Sequence, residues 1–540
     1  MQESPRADRA DEGVVVIRQD QVDEARFLAD DFKKHAAKII LGVFVGSLFA
    51  SCVSSPGFSA PGTWANSFRL DTVFVAVWGP LLYWAIARFP LWRSVRIYVV
   101  LCLFIEPFTE TMMKEQGAGY WDSVLWPAAV AYYGTIKEWA GVPGASLPVF
   151  FFVTVGLLYR ATRAAKAHPE ITGYVRPPKF ARNFMLVFLA TVLALSMWGI
   201  LAGGGVEQTF RQIVHLMQWP LIGLVFLYAI RVPEDLAAIG TIYVVTALFR
   251  SLIVFYVYFG IRFWRGIGNR TDLAEWCTTH SDSVLFVVAV LSVATLAFER
   301  PNKRNVRRAI GVGAVLLLAM IANNRRLAFV SLGIAPAVIY LALRPSARKR
   351  RVTASILAGI PLLVLYVVIG ADIDSASPLL RPAKLVMSVL DQKDLSSLSR
   401  DVENENLVYT LRQNPLLPTG FGFNYQYSPN NPPVDLTGVF ANFRLIAHNG
   451  VLWLWSIGGV LGFTALWLVF PTAGTAAIWA YRRAYSPLER SAALTALGAM
   501  VVCIVQIWGD QGLNGYMTPV TFGIAFAVAS KLANRIQQDW

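Results

Sequence analysis

Long apolar runs recur along most of the chain and are separated by short polar or basic segments. Each run is close to the ~20 residues that a helix needs to cross a bilayer. The runs are continuous rather than alternating at every second position, which favours helices over a transmembrane β-barrel. The pattern therefore predicts an all-α polytopic membrane protein with 12–14 spans.

The count that best fits the polar segments is fourteen helices. They are predicted over residues 38–54, 70–88, 95–112, 146–160, 183–202, 212–230, 236–260, 281–299, 307–322, 327–343, 352–370, 449–481, 489–509 and 515–533. A shorter apolar stretch, 121–134, is interpreted as a re-entrant or interfacial piece, because counting it as a span breaks the charge pattern of the loops.

The polar segments divide the chain into regions. Residues 1–37 are hydrophilic and predict a cytoplasmic tail, with an interfacial amphipathic helix near 20–37. Residues 371–448 are dense in Pro, Asn and Gly, which predicts one large extracytoplasmic loop. The regions are the tail 1–37, the N-terminal transmembrane helices 38–260, the transmembrane helices 261–370 with arginines in an outer turn, the loop 371–448 and the C-terminal transmembrane helices 449–540.

Composition and charge favour a membrane protein over a nucleic-acid-binding one. The chain is 55% hydrophobic and 15% charged, whereas soluble domains carry about a quarter charged residues. The net charge of +14 comes largely from Lys and Arg in short loops, around 88–96, 160–182, 300–308, 344–351 and 482–490. With fourteen spans these loops share one side, which the positive-inside rule makes cytoplasmic together with both termini. No nucleic-acid partner is expected. The four cysteines lack metal-ligand spacing, so no metal site is expected either.

Two adjacent arginines, Arg325 and Arg326, occupy a tight turn on the predicted outer side, where basic residues are uncommon. One interpretation is that their long side chains reach lipid phosphates. The other is an anion site, because the planar guanidinium holds phosphate with several donors. The sequence leaves both interpretations open.

The second half of the outer loop offers another arginine and a rigid turn. Arg400 lies at the start of a charged segment that is predicted to be helical, and its simplest interpretation is a solvated helix face. The segment 414–422 contains two prolines and two glycines. Such a turn either brings backbone amides to a ligand or only folds the loop, and a lone Gly-x-Gly is weak evidence for the ligand.

His448 and Asn449 stand where the outer loop re-enters the membrane. A histidine at the start of a helix can be a simple interfacial residue. A neutral imidazole there can also take a proton from a hydroxyl near neutral pH, as a general base does.

Several polar groups fall within or at the ends of apolar runs. Arg250 and His215 are costly there unless they are paired or hydrated, and Asn449 and Asp510 stand at outer helix ends. Together they indicate a hydrated cavity that opens outward. The alternative is that each forms a hydrogen bond between helices.

The order of these elements resembles the bacterial O-antigen ligase and O-antigen polymerase superfamily. An outer-turn arginine, a loop arginine, an Asn-Pro-Leu…Gly-x-Gly turn and an Ala-His-Asn-x-x-Leu element before a glycine-rich helix follow one another over about 265–530. The resemblance implies a GT-C-like fold, with His448 as the family's essential histidine and Arg400 as its loop arginine. It implies Asp510 as the acidic residue of the last outer loop.

The same resemblance implies Arg326, or its neighbour Arg325, as the arginine of the outer turn. Family members often carry a small residue after that arginine, whereas Leu327 follows Arg326 here. This departure leaves open which of the two arginines faces the site.

The resemblance also implies an inverting glycosyltransferase that needs no metal or other cofactor. Its donor would be an undecaprenyl-diphosphate-linked oligosaccharide, and its acceptor a hydroxyl of a glycan or a lipid-linked molecule. It would work in membrane lipid at the periplasmic face of the bacterial inner membrane, alongside other polysaccharide-assembly proteins. Preorganised arginines can stabilise the charge that develops on a leaving diphosphate without a metal.

Within the superfamily we favour a surface-polysaccharide polymerase, because a genome can hold several polysaccharide loci but usually one ligase. An O-antigen ligase and a protein O-glycosylating enzyme are the alternatives. The rival class is a secondary transporter or lipid flippase, although transporters favour internal repeats and none is visible. A non-catalytic assembly protein is the remaining alternative.

Overall fold

A computed structural model of the protein describes residues 91–105, 147–167, 177–230, 233–256, 277–372, 395–431, 444–510 and 515–538, with a few short pieces between these ranges. These residues form helices and no β-strand. The helices are α1 (Leu91–Phe104), α2 (Val149–Ala167), α3 (Lys179–Leu201), α4 (Val206–Leu216), α5 (Gln218–Ala229), α6 (Pro233–Phe255), α7 (Ser281–Glu299), α8 (Lys303–Asn323), α9 (Arg326–Ala342), α10 (Ala347–Asp372), α11 (Leu395–Gln413), α12 (Gly450–Trp467), α13 (Val469–Arg483), α14 (Pro487–Gly509) and α15 (Met517–Gln538).

Eight helical segments among the described residues are long and apolar enough to cross a membrane. They are Lys179–Leu201, Val206–Ala229, Asp235–Phe255, Ser281–Glu299, Lys303–Asn323, Ala347–Gly370, Gly450–Arg483 and Pro487–Gly509. Arg326–Ala342 is a shorter apolar helix. The prediction of an all-helical, multi-pass membrane protein is therefore confirmed, while the count of fourteen spans stays a prediction. The expectations for 1–37, 38–54, 70–88 and most of 121–134 lie outside the described residues.

Two predicted spans are interrupted rather than straight. The span 212–230 is the end of a longer segment in which amphipathic α4 precedes apolar α5. The span 449–481 is divided into α12 and α13, and α12 contains Gly459 with φ 56° and ψ −173°. Only glycine adopts that backbone conformation readily, so Gly459 permits a break inside an apolar run.

The core of the bundle is built around α14, which packs against α7, α9, α13 and α15. Small residues on α14, among them Ala493, Ala496 and Gly498, are buried at these contacts. Small side chains let membrane helices approach closely, which strengthens van der Waals packing where no hydrophobic effect drives association. The C-terminal end of α14 is thereby held at the same end of the bundle as the start of α7.

The two ends of the bundle differ in charge. At one end Arg348 donates hydrogen bonds to the carbonyls of Phe298 and Glu299, and the Glu299 carboxylate accepts from Arg490 at 2.7 Å. The predicted basic loops 300–308, 344–351 and 482–490 therefore meet at one end. The opposite end carries the predicted outer residues, beginning with His280 at the start of α7.

A buried ion pair ties α6 to α7 close to this predicted outer end. The Arg250 guanidinium donates to both carboxylate oxygens of Asp282, at 2.7 and 2.8 Å, and to the carbonyl of Phe104 at 3.2 Å. Arg250 is 1% exposed and Asp282 is fully buried. A bidentate pair of this kind compensates the desolvation of both charges. The geometry therefore supports the helix–helix alternative for Arg250 rather than a lining group of a hydrated cavity.

Candidate functional site

The turn between α8 and α9 is shaped by two asparagines. The side chain of Asn323 accepts hydrogen bonds from the backbone N–H groups of Cys277 and Thr278, at 3.2 and 2.7 Å. Asn324 adopts the left-handed conformation with φ 55°, which asparagine tolerates better than most residues. The chain reverses there, and Arg325 follows in an extended conformation as the residue that caps α9.

Arg325 is directed at the segment before α7. Its Nε and Nη2 atoms donate to the Thr278 carbonyl, at 3.2 and 2.9 Å, and Nη1 lies 2.9 Å from Nε2 of His280. A neutral His280 can accept this bond at Nε2 and donate from Nδ1 to Asp510, its other partner. The turn arginine, a histidine and an acid therefore form one connected group.

Arg400 enters the same group from the outer loop. Its Nη1 donates to the Gly509 carbonyl at 2.5 Å, and Nη2 lies 3.7 Å from Asp510. The Gly509 carbonyl is at the C-terminal end of α14, where a cation is favoured by the helix dipole. We call Arg325, Arg400, His280 and Asp510 the anion cluster.

Electrostatics within the anion cluster keep it charged. Burial would raise the pKa of Asp510, but His280, Arg400 and Arg325 outweigh burial and lower it to about 2. Burial, and then Arg325, lower the pKa of His280, against the opposing effect of Asp510. At neutral pH the cluster thus holds two guanidinium groups and one carboxylate, so its net charge is positive with either form of the His280 ring. Such a group can accept a phosphate, because Arg is a multi-donor phosphate ligand.

His448 is held by a carboxylate on α11. Glu403 accepts a hydrogen bond from the His448 backbone N–H at 3.0 Å, and its other oxygen lies 2.9 Å from His448 Nδ1. Glu403 is buried, while 19% of the His448 side chain is exposed. One carboxylate therefore fixes both the backbone and the ring of this histidine.

Asn449 has a local structural role in starting α12. Its side-chain oxygen accepts from the Leu452 backbone N–H at 3.2 Å, and its amide group donates to Asn404 at 3.0 Å. An asparagine at this position satisfies an N–H that the helix leaves without a partner. The spacing between Asn449 and Leu452 in the sequence is therefore that of a helix cap.

The start of α12 also lies against the segment that carries Asp510. A Cβ atom on Gly450 would lie 2.7 Å from Leu513 and 2.9 Å from Ile507, so glycine allows this close approach. Arg400 and Glu403 are three residues apart on α11 and share one helix face. The separation is about 4.5 Å along the axis at 1.5 Å per residue. Arg400 of the anion cluster and Glu403, the partner of His448, therefore lie next to each other along one face of α11.

The glycine-rich turn 414–422 docks the loop against the bundle rather than lining the cluster. The N–H groups of Gly420 and Phe421 donate to the carbonyls of Ile457 and Leu195, at 3.0 and 3.2 Å. The Gln212 side chain on α4 accepts from Gly422 N–H at 2.6 Å. The contacts of this turn support the interpretation that it folds the loop.

Gln212 links that turn to the chain just before His448. Besides its contact with Gly422, its amide group donates to the carbonyls of Phe423 and Leu445, at 3.1 and 2.8 Å. The Leu445 carbonyl also accepts from the Trp453 indole at 3.0 Å. The approach to His448 is therefore anchored from both α4 and α12.

The remaining candidate residues are Arg326, His215 and Arg250, and each of them has different surroundings. Arg326 is the first residue of α9 and is half-buried. The His215 ring lies 4.6 Å from that of Tyr516, and its Nδ1 is buried without a hydrogen-bond partner among the described residues. Arg250 belongs to the ion pair with Asp282. Neither His215 nor Arg250 is brought to the anion cluster by a contact that the structure describes.

Sequence reasoning missed Glu403 and gave His280 no role. A signal for Glu403 was present, since it follows Arg400 by one helical turn on a segment predicted to be helical. Nothing in the sequence pairs His280 with Asp510, which is more than 200 residues away. Within the described ranges, no group of three or more His, Cys, Asp or Glu side chains could hold a metal ion.

Comparison with known proteins adds one match. Residues 311–467 match the model of a protein family described as O-Antigen ligase. The matched stretch includes Arg325, Arg326, Arg400, Glu403 and His448, whereas His280 and Asp510 lie on either side of it. The chain matches no curated protein.

Proposed function

We propose that this protein is a multi-pass membrane glycosyltransferase of the O-antigen ligase and polymerase superfamily. It moves a glycan from undecaprenyl diphosphate to an acceptor hydroxyl. The transfer inverts the anomeric carbon, needs no metal, and takes place at the outer face of the bacterial inner membrane. The observation that carries the proposal is the placement of His448 beside a cluster of two arginines.

Each part of that arrangement has a role in the transfer. His448 takes the proton of the acceptor hydroxyl while its oxygen forms a bond to the anomeric carbon from the face opposite the diphosphate. The bond between that carbon and the diphosphate oxygen breaks at the same time. Arg325 and Arg400 stabilise the negative charge that develops on the leaving diphosphate, as preorganised donors do in other active sites.

The donor diphosphate would exchange places with contacts that the arginines now make. Arg325 donates to the Thr278 carbonyl and Arg400 to the Gly509 carbonyl, both uncharged acceptors. A phosphate carries negative charge, so its hydrogen bonds with the guanidinium groups include an attraction between opposite charges that a carbonyl lacks. The exchange is therefore favourable, and Asp510 remains to balance part of the positive charge when the site is empty of donor.

The acceptor separates the two candidate forms of the function. A surface-polysaccharide polymerase extends a glycan chain, and an O-antigen ligase places the finished chain on lipid A-core or another acceptor. The match to a family described as O-Antigen ligase does not distinguish the two forms. Both forms use the same donor, so the site chemistry above applies to either.

The test is the surface polysaccharide of a deletion strain complemented by variants. We expect the deletion and its His448→Ala complement to lose normal polysaccharide, since general-base catalysis contributes about 10²- to 10⁴-fold. His168→Ala is the matched control, because His168 lies in a loop predicted on the opposite side, and it should restore wild-type polysaccharide. Immunoblotting checks that both variants reach the wild-type level in the membrane.

The glycan that accumulates distinguishes the two forms. Single repeat units on the acceptor indicate a polymerase, and full-length polymer left on undecaprenyl diphosphate indicates a ligase. Unchanged polysaccharide in the deletion strain would contradict the proposal that the protein transfers a glycan. Unchanged polysaccharide in the His448→Ala complement would contradict the assignment of His448 as the base.

A further inference from the structure

We infer that Glu403 is the positioning residue that sets the ring orientation and tautomer of His448 for proton transfer. The inference rests on the proposed function, because it concerns how the proposed base is made competent. It adds to the site a residue that touches neither donor nor acceptor but acts through His448.

The first step is the geometry of the contact. A histidine ring has two nitrogens, and the partner of one decides which of them carries the proton. Glu403 Oε2 lies 2.9 Å from His448 Nδ1, and a carboxylate can only accept there. Nδ1 therefore carries a proton, and Nε2 is the nitrogen that faces the acceptor hydroxyl as a base.

The second step is that the contact cannot be a chance surface ion pair. The Glu403 side chain is only 8% exposed, and its second oxygen accepts the backbone N–H of His448 itself. Two hydrogen bonds from one buried carboxylate to one residue restrain both rotation of the ring and movement of the chain. A buried carboxylate also stabilises the imidazolium that forms once the acceptor proton is taken.

The third step is the element that carries Glu403. Helix α11 also carries Arg400, one turn earlier, and Arg400 is tied to Gly509 and Asp510. The neighbouring Asn404 contacts Asn449. Helix α11 therefore sets the distance between the base and the anion cluster, and Glu403 is its contact on the base side.

The test uses membranes of the deletion strain that carry full-length variants. The donor is the lipid-linked glycan purified from the same deletion strain, and initial rates are measured against donor concentration. Glu403→Gln keeps the shape of the side chain and removes its charge. We expect kcat to fall about 100-fold, within the range that general-base catalysis contributes, with the donor KM unchanged.

Two controls separate positioning from folding. Glu405→Gln makes the same chemical change on the same helix at an exposed residue, and should keep the wild-type rate. Glu403→Asp retains a carboxylate on a shorter arm, and should have a higher kcat than Glu403→Gln. Equal rates for Glu403→Asp and Glu403→Gln would overturn the inference, since a charge that acts on His448 must matter.

A double variant gives the decisive readout. If Glu403 acts only through His448, then Glu403→Gln combined with His448→Ala should be no slower than His448→Ala alone, because coupled residues are not additive. Losses that multiply would overturn the positioning role. Glycan transfer that persists in His448→Ala would instead contradict the assignment of His448 as the base. If His448→Ala is inactive and Glu403→Gln is fully active, only the role of Glu403 is contradicted.

Discussion

Arg325 and Arg326 are neighbours in the chain, but their surroundings differ. Arg325 is buried and donates to Thr278 and His280, while Arg326 begins α9 and is half-buried. Arg325 has an extended backbone before the helix, whereas Arg326 is the first helical residue, so the two side chains leave the backbone in different directions. At this scale the structure supports Arg325 as the outer-turn arginine of the anion cluster.

The two arginines should therefore respond differently to replacement. Arg325→Ala should lower kcat/KM for the lipid-linked donor about 10- to 100-fold, since a hydrogen bond to a charged group contributes about 1.5–3 kcal/mol. Arg326→Ala is the matched control and should lose less. Arg325→Lys should recover only part of the loss, because an ammonium lacks the planar fork. Initial-rate measurements in deletion-strain membranes check this, and a larger loss in Arg326→Ala would reverse the assignment.

At the scale of the elements, the outer loop is joined to the bundle through backbone contacts at glycines. Gly199 on α3 lies against the turn 414–422, where an added Cβ would be 1.9 Å from the Phe421 carbonyl oxygen. On the other side of the turn, Gly459 in α12 lies against Leu416 and Leu417. The turn 414–422 thus lies in a narrow slot between helices α3 and α12, and the slot requires small residues on both helices.

Gly199→Ala should therefore destabilise the docked loop. A buried methyl group with no space costs about 1–3 kcal/mol when the surroundings must shift. Gly313→Ala is the matched control, since no atom lies within 4 Å of the added Cβ and alanine is the better helix former. Thermal unfolding of the detergent-purified protein should show a lower Tm for Gly199→Ala and a Tm for Gly313→Ala that is unchanged or raised. Equal Tm values for Gly199→Ala and Gly313→Ala would contradict the tight packing of the turn against Gly199.

The hydropathy of the sequence was sufficient to predict the long spans, but it could not predict where a span is broken. The predicted spans 281–299 and 489–509 agree closely with α7 and α14, because each is a continuous apolar run. The break at Gly459 depends on the loop that packs against it, so a window of apolar residues could not reveal it. The same limit applies to the site, where the contact of His448 with Glu403 joins residues 45 apart.

At the scale of the whole molecule, the placement of charges favours transfer over transport. The predicted basic loops meet at one end of the described bundle, and the residues of the anion cluster and His448 meet at the other. A carrier would expose a charged site from both sides in turn, near the middle of the bilayer. Arg250, an arginine inside an apolar run, is the residue that would most favour transport. Its bidentate contact with Asp282 gives it a structural explanation.

The ion pair between Arg250 and Asp282 offers the last test. If it is structural, Arg250→Met alone and Asp282→Leu alone should each destabilise the protein by about 3–5 kcal/mol, because each leaves a buried charge unpaired. The combined Arg250→Met and Asp282→Leu variant removes both charges and should recover most of the membrane level and glycan transfer. Immunoblots and the surface-polysaccharide analysis measure both. A double variant that is abundant in the membrane but inactive would mean that Arg250 serves the substrate path, since the fold would then survive without the pair while the function would not.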